Sequence, residues 1–311
     1  MNYSAFCDTF IASLSERLDA SYSLTKESIR KNNGVMLDAL VLRMSDISSA
    51  PVIYLESLYE HYLDGSSVEN LCHKVISGLK KDSIITPEMI QRLQDLETAR
   101  DKIAFRLVSR KENAELLKDV PWLPFLDLAI IFHLHLGRHA GNQITSIIHK
   151  RQMCDWNLSP TELFRIAKDN TKNLYPSAIT RLEHLIFGWD PENNPFLSCE
   201  SDFPTIYVLT NQNGINGASC MLYEDTMKDF ADRIGSDFII LPSSVHEVLL
   251  IPDSGSLDYH MLRNMVRTVN INDVPKEDVL SDEIYIYHRN ECPSVTRWHP
   301  SEPDVHESDG K

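Results

Sequence analysis

Apolar residues recur every fourth position near the start of the chain, at Phe6, Phe10, Leu14 and Leu18, which places them on one face of an amphipathic helix over residues 4–18. A second, short helix is expected over residues 25–31, stopped by Asn32, Asn33 and Gly34, because Asn and Gly accept the left-handed geometry that ends helices. Residues 35–44 are apolar-rich and read as a strand. Pro51 then opens a helix carrying Tyr54, Leu55, Leu58, Tyr59 and Tyr62, closed by Gly65. Ser66 and Glu69 have capping-box spacing, Thr86-Pro87-Glu88 has a helix-start pattern, and Ser159-Pro160-Thr161-Glu162 combines both devices ahead of a helix through Asp169.

Further on, the period shortens from that of a helix to that of a strand. Residues 128–136 and 144–149 flank a turn at 137–143 and read as a hairpin. Residues 205–210 and 219–223 flank a loop holding Asn213-Gly214 and Asn216-Gly217, dipeptides typical of hairpin turns, and a helix over 225–234 follows. Residues 238–241 and 245–251 flank Pro242, Ser243 and Ser244, ahead of a helix over 257–269 and a last strand over 283–288. Hairpin followed by helix thus recurs three times. The expected fold is α+β, with antiparallel hairpin-plus-helix units packed in layers behind an N-terminal helical segment. A break near 188–204 suggests an α+β part over 1–190 and an acidic ββα-ββα part over 200–290, or one continuous unit. Residues 291–311, with three prolines and five acids, read as a disordered acidic tail.

Composition sharpens this picture. At 311 residues, 42% of them apolar, the chain can bury a substantial core, and no apolar run reaches membrane-spanning length. The first twelve residues lack basic positions and carry Asp8, unlike a signal peptide, so a cytoplasmic location is expected. Six scattered cysteines offer neither a CxxC pair nor a disulfide framework. Of the net charge of −15, most falls after residue 199, where 20 acids face 8 bases. That balance disfavours direct nucleic-acid binding and suits a basic protein partner.

Two segments carry candidate chemistry. Residues 241–247 read Leu-Pro-Ser-Ser-Val-His-Glu, bringing Ser243, Ser244, His246 and Glu247 together as weak catalytic candidates. If residues 245–251 form a strand, Ser244 and His246 share a face and Glu247 points away, so Glu247 cannot orient the imidazole as a triad requires. The second segment places His133 and His135 on one strand face, with His139 after the turn, a weak set of metal ligands lacking a fourth group. Arg100, Lys102, Arg106, Arg110 and Lys111 are diluted by Asp101 and Glu112 and read as a solvated face. Phosphate-loop, dinucleotide, zincin and EF-hand patterns do not occur.

Three stretches carry a resemblance. They are Lys31 to Gly34 with Pro51 to Glu56; Arg106-Leu107-Val108 with Glu112-Asn113 and Leu116-Leu117; and Leu241 to Pro252. Together they resemble an uncharacterised bacterial family of clostridial anaerobes, a domain of unknown function. The resemblance implies a bacterial cytoplasmic origin and no established activity. The first reading is therefore a non-catalytic protein acting through macromolecular contacts, with no cofactor expected. The alternatives are a hydrolase or other small-molecule enzyme with its site near 242–247, or a metal-binding protein using His133, His135 and His139.

Overall fold

In the computed structural model, helix α1 (Tyr3–Ser15) buries Phe6, Phe10 and Leu14 completely, as their spacing requires. Residues 1–20, 22–44, 52–80, 92–139, 142–187, 204–290 and 294–300 are described here. The chain continues into β1 (Tyr22–Arg30), β2 (Met36–Met44) and β3 (Val52–Tyr54), an antiparallel sheet in the order β1-β2-β3. The helix expected over 25–31 is thus a strand, paired along its length from Tyr22↔Met44 to Arg30↔Met36. Asn33 (φ 55°) and Gly34 (φ 69°) turn this hairpin instead of ending a helix. The same left-handed conformation serves either role, and the nine-residue pairing decides which. Helix α2 (Leu55–Leu63) begins after β3, later than expected, and α3 (Val68–Lys80) is capped by Ser67, whose Oγ accepts the Asn70 N–H, one residue beyond the expected Ser66. These elements close over Phe6, Phe10, Leu40, Leu42, Leu55 and Leu71. The start pattern at Thr86 lies outside the described residues.

A second sheet comprises β4 (Ile103–Ser109), β5 (Trp122–Phe125), β6 (Leu128–His139) and β7 (Asn142–Ile147), preceded by the single turn α4 (Leu96–Ala99). β6 pairs with β4 along one edge and with β5 and then β7 along the other, so the expected 128–149 hairpin is present. Helices α5 (Lys150–Asp155) and α6 (Pro160–Leu174) follow. Ser159 and Glu162 form the full capping box at the start of α6, which runs past Asp169. Ser159→Ala removes that cap and is expected to cost about 1 kcal/mol in urea unfolding. A change under about 0.3 kcal/mol would show that the helix is held by packing alone.

The third sheet has the order β13-β12-β10-β11-β9-β8. It is assembled from β8 (Ser177–Arg181), followed by α7 (Leu182–Phe187); β9 (Tyr207–Asn211); β10 (Phe238–Leu241); β11 (Val248–Pro252); β12 (Tyr285–His288); and β13 (Ser294–Arg297). Helices α8 (Glu224–Ile234) and α9 (Tyr259–Asn272) complete the α+β fold. All four residues of β10 are buried because both faces are covered. Phe238 and Ile240 join the main core with Phe105, Phe132 and Phe230, while Ile239 and Leu241 pack with Leu262 and Val266 of α9.

Two expectations are corrected. Residues 219–223 are not a strand: Gly217–Leu222 forms a 3₁₀ helix with Ala218, Ser219, Cys220 and Met221 all buried, a pattern no one-sided strand would show. Here Ser219 Oγ accepts the Leu107 N–H on the open edge of β4. The strand over 283–288 is not the last, since Ser294–Arg297 pairs with it and Trp298 packs edge-on against Tyr259 and His260. The stretch read as disordered from residue 291 therefore contains an ordered edge strand. Across residues 188–204, β8 pairs with β9. Residues from Leu93 to Tyr287 share one core.

Candidate functional site

Segment 242–247 is a bend, not the start of a strand, and β11 begins only at Val248. A second segment, 275–281, runs alongside and fixes it. Leu280 N–H donates to Ser243 O, Ser281 N–H to Pro242 O and Val245 N–H to Asp278 O. Ser244 is buried, and its Oγ accepts the His246 N–H at 3.0 Å, so that hydroxyl serves the turn backbone. Side chains therefore do not alternate across residues 245–247 as they would on a strand. An acid does reach His246, but it is Asp278, not Glu247: Nε2 lies 3.2 Å from Asp278 Oδ1. On the other side, His246 Nδ1 accepts the Asn216 backbone N–H at 3.3 Å. A backbone amide can only donate, so the tautomer carrying its proton on Nε2 satisfies both contacts. Both ring nitrogens are thus held, neither by a serine hydroxyl among the described residues, and His246 clamps loop 212–217 to segment 275–281.

His133 and His135 share one face of β6, as expected. Both address the hydroxyl of Tyr175, at 3.3 Å from His133 Nε2 and 2.9 Å from His135 Nδ1. Burial, with Arg106 and His135 nearby, pushes the His133 imidazole down to about 3, which keeps it neutral. The side chain of His139 lies outside the described residues. Among the described residues, no three His, Cys, Asp or Glu side chains are grouped to hold a metal ion.

The register of the second sheet adds Arg106, expected on a solvated face. Arg106 sits opposite Ile131 on β4, with Ala104 opposite His133, so Arg106 and His133 are diagonal neighbours on one face. Its Nε is buried without a hydrogen-bond partner, and among the described residues it forms no ion pair. Burial pushes the guanidinium below its ordinary value. The missed signal was the run Ile103-Ala-Phe-Arg-Leu-Val108, a lone arginine inside an apolar strand.

Arg106 faces a cleft of about 920 Å³. One wall is the β4/β7 face with Val108, Thr145 and Ile147; the opposite wall is the N-terminal unit with Asn32, Leu37, Tyr54 and Glu56; Val245, His246 and Asp278 form a third. Ile215 and Asn216 line this cleft and also a chamber of about 10 Å³ beside His133 and Tyr175. The two candidate segments thus meet through loop 212–217. A larger hollow of about 1150 Å³ runs past Arg181, Tyr207 and Leu257, but no buried unpartnered polar atom among the described residues lines it. Three such atoms, on Asn32, Glu56 and Arg106, belong to residues of the Arg106 cleft. That concentration singles it out, because an unpaired buried polar group is costly unless a ligand or water completes it.

One knot holds these walls together. Asn33 Nδ2 donates to Lys276 O (2.8 Å) and Val279 O (2.6 Å), while Asn33 Oδ1 accepts from Asn113 Nδ2 (2.8 Å) and Asn113 Oδ1 accepts the Asn33 N–H (3.0 Å). All three stretches that carried the family resemblance therefore border the cleft. In the acidic C-terminal third, Asp225 and Asp232 are ion-paired within the chain, to Lys172 and Arg289. Among the described residues no helix is long and apolar enough to cross a membrane. Searches of curated proteins and of solved structures found no match. A family model does match residues 3–289, nearly the whole chain, and the protein belongs to that family, DUF5688, a family of unknown function.

Proposed function

We propose that the protein binds a small anionic molecule in the cleft between its N-terminal unit and the β4/β7 face, with Arg106 as the anchor. The observation that carries this reading is the half-buried guanidinium opening on that cleft, its buried Nε without a partner and no ion pair to it among the described residues. A planar cation with several donors suits a carboxylate or phosphate. The clamped His246 and the turn-bonded Ser244 support a binding role here over acyl-transfer chemistry.

Arg106→Met keeps the apolar stem and removes the desolvated charge. Without ligand it is expected to raise stability by about 1 kcal/mol, as removal of a partly desolvated, uncompensated charge does. The test is a thermal-shift titration with inorganic phosphate and a set of small carboxylates at constant ionic strength. At least one should raise the Tm of the natural protein above a chloride control, and none should do so for Arg106→Met. Equal responses from both proteins, or none beyond chloride from either, would reject the proposal.

A further inference from the structure

We propose that the ligand is a zwitterion of the short-peptide type, its carboxylate on Arg106 and its ammonium on Glu56 and Asn32. This rests on the reading of Arg106 as the anion anchor and extends it to the opposite wall. Glu56 Oε1 accepts the Asp38 N–H at 2.7 Å, which fixes the carboxylate, while Oε2 is buried with no partner. Asn32 is fixed likewise: Nδ2 donates to Glu277 O at 2.6 Å, and Oδ1 is buried and unpartnered. Two anchored acceptors, one of them a carboxylate, call for a cationic donor. Lys31 does not supply it, because its ammonium sits 3.8 Å over the Tyr54 ring.

Arg106 and Glu56 line the same cleft, yet no ion pair joins them. A purely anionic ligand would satisfy the first and leave Glu56 Oε2 without a partner and repelling it. A molecule bearing both charges satisfies both. The same lining also carries Leu37, Val108, Leu116, Ile147, Ile215 and Val245, which suits aliphatic side chains. At about 920 Å³ the cleft is ample for a short peptide and generous for a single amino acid.

The test is calorimetric titration of the full chain at neutral pH with leucyl-leucine, its N-acetyl form, its C-terminal amide and free leucine. Leucyl-leucine should bind more tightly than leucine. N-acetylation and Glu56→Gln should each weaken it by about tenfold or more, as should amidation and Arg106→Met, the loss expected for a hydrogen bond to a charged group. Glu56→Gln retains the oxygen that accepts from Asp38, and the acetylated ligand needs no mutation at all. Equal binding of the acetylated dipeptide, or failure of leucyl-leucine where carboxylates still shift Tm through Arg106, would overturn the zwitterion and leave the anion anchor standing. Leucine binding as tightly as the dipeptide would overturn the peptide assignment. If no carboxylate or phosphate acts through Arg106 either, both proposals fall.

Discussion

Asn33→Ala is expected to lower folding stability by about 4 kcal/mol, roughly 1 kcal/mol for each of three side-chain hydrogen bonds lost and about 1 more for alanine in the left-handed region. Asn33 is 3% exposed, so water does not replace the bonds it makes to Lys276 O, Val279 O and Asn113 Nδ2. Its φ of 55° suits Asn or Gly far better than Ala. Asn33→Gly separates the two causes: it loses the same bonds without the backbone strain and should recover about 1 kcal/mol of the loss. Urea unfolding of the three proteins measures this. If both variants lie within about 1 kcal/mol of the natural chain, the knot is not what fastens the hairpin turn to segment 275–281. Because that segment also carries Asp278 to His246, the same variants should weaken ligand binding at Arg106 even where the chain remains folded.

The residues of this knot were visible in the sequence, but their meeting was not. Asn33 lies 80 positions from Asn113 and 246 from Val279, and nothing local in Lys-Asn-Asn-Gly distinguishes a helix stop from a hairpin turn. Pairing with Met36–Met44 decides it. Where a pattern is satisfied locally, the sequence reading holds, as in the Phe6-Phe10-Leu14 stripe and the Ser159 capping box. It fails for residues 219–223, whose apolar run is buried all round in a 3₁₀ turn under β4 instead of facing one way from a strand. At the site, His246 and His133 were singled out by residue type, which is a local property. Their partners Asp278, Asn216 and Tyr175 are 30 to 42 residues away and are fixed only by packing. Arg106 was hidden for another reason: it was read with neighbouring charges, while its own strand register isolates it.

Gly217→Ala is expected to destabilise the protein by about 3–5 kcal/mol, at the upper end of what a single added methyl does in a packed interior. A Cβ at this position would fall well inside contact distance of Thr210 Oγ1 and His246 O, and 2.7 Å from Asn211 N. Two of those three atoms are backbone, so no rotamer change relieves the overlap. The backbone of β9 and the 242–247 turn must separate instead, straining the Thr210 Oγ1 to His246 O bond (2.8 Å) and the Ala218 N–H to Val245 O bond (3.2 Å). The glycine is therefore required by close approach of three chain segments at the point where loop 212–217 meets the His246 clamp. Gly78→Ala provides the contrast. Gly78 lies in α3 with nothing within 4 Å of its added methyl, so alanine there should be neutral or stabilising by up to about 1 kcal/mol through helix propensity alone. Thermal unfolding of the two variants should give shifts of opposite sign, or no shift for Gly78→Ala. A Gly217→Ala protein that melts with the natural chain would show that loop 212–217 moves aside at little cost, and that neither the clamp nor the cleft wall it forms is rigid.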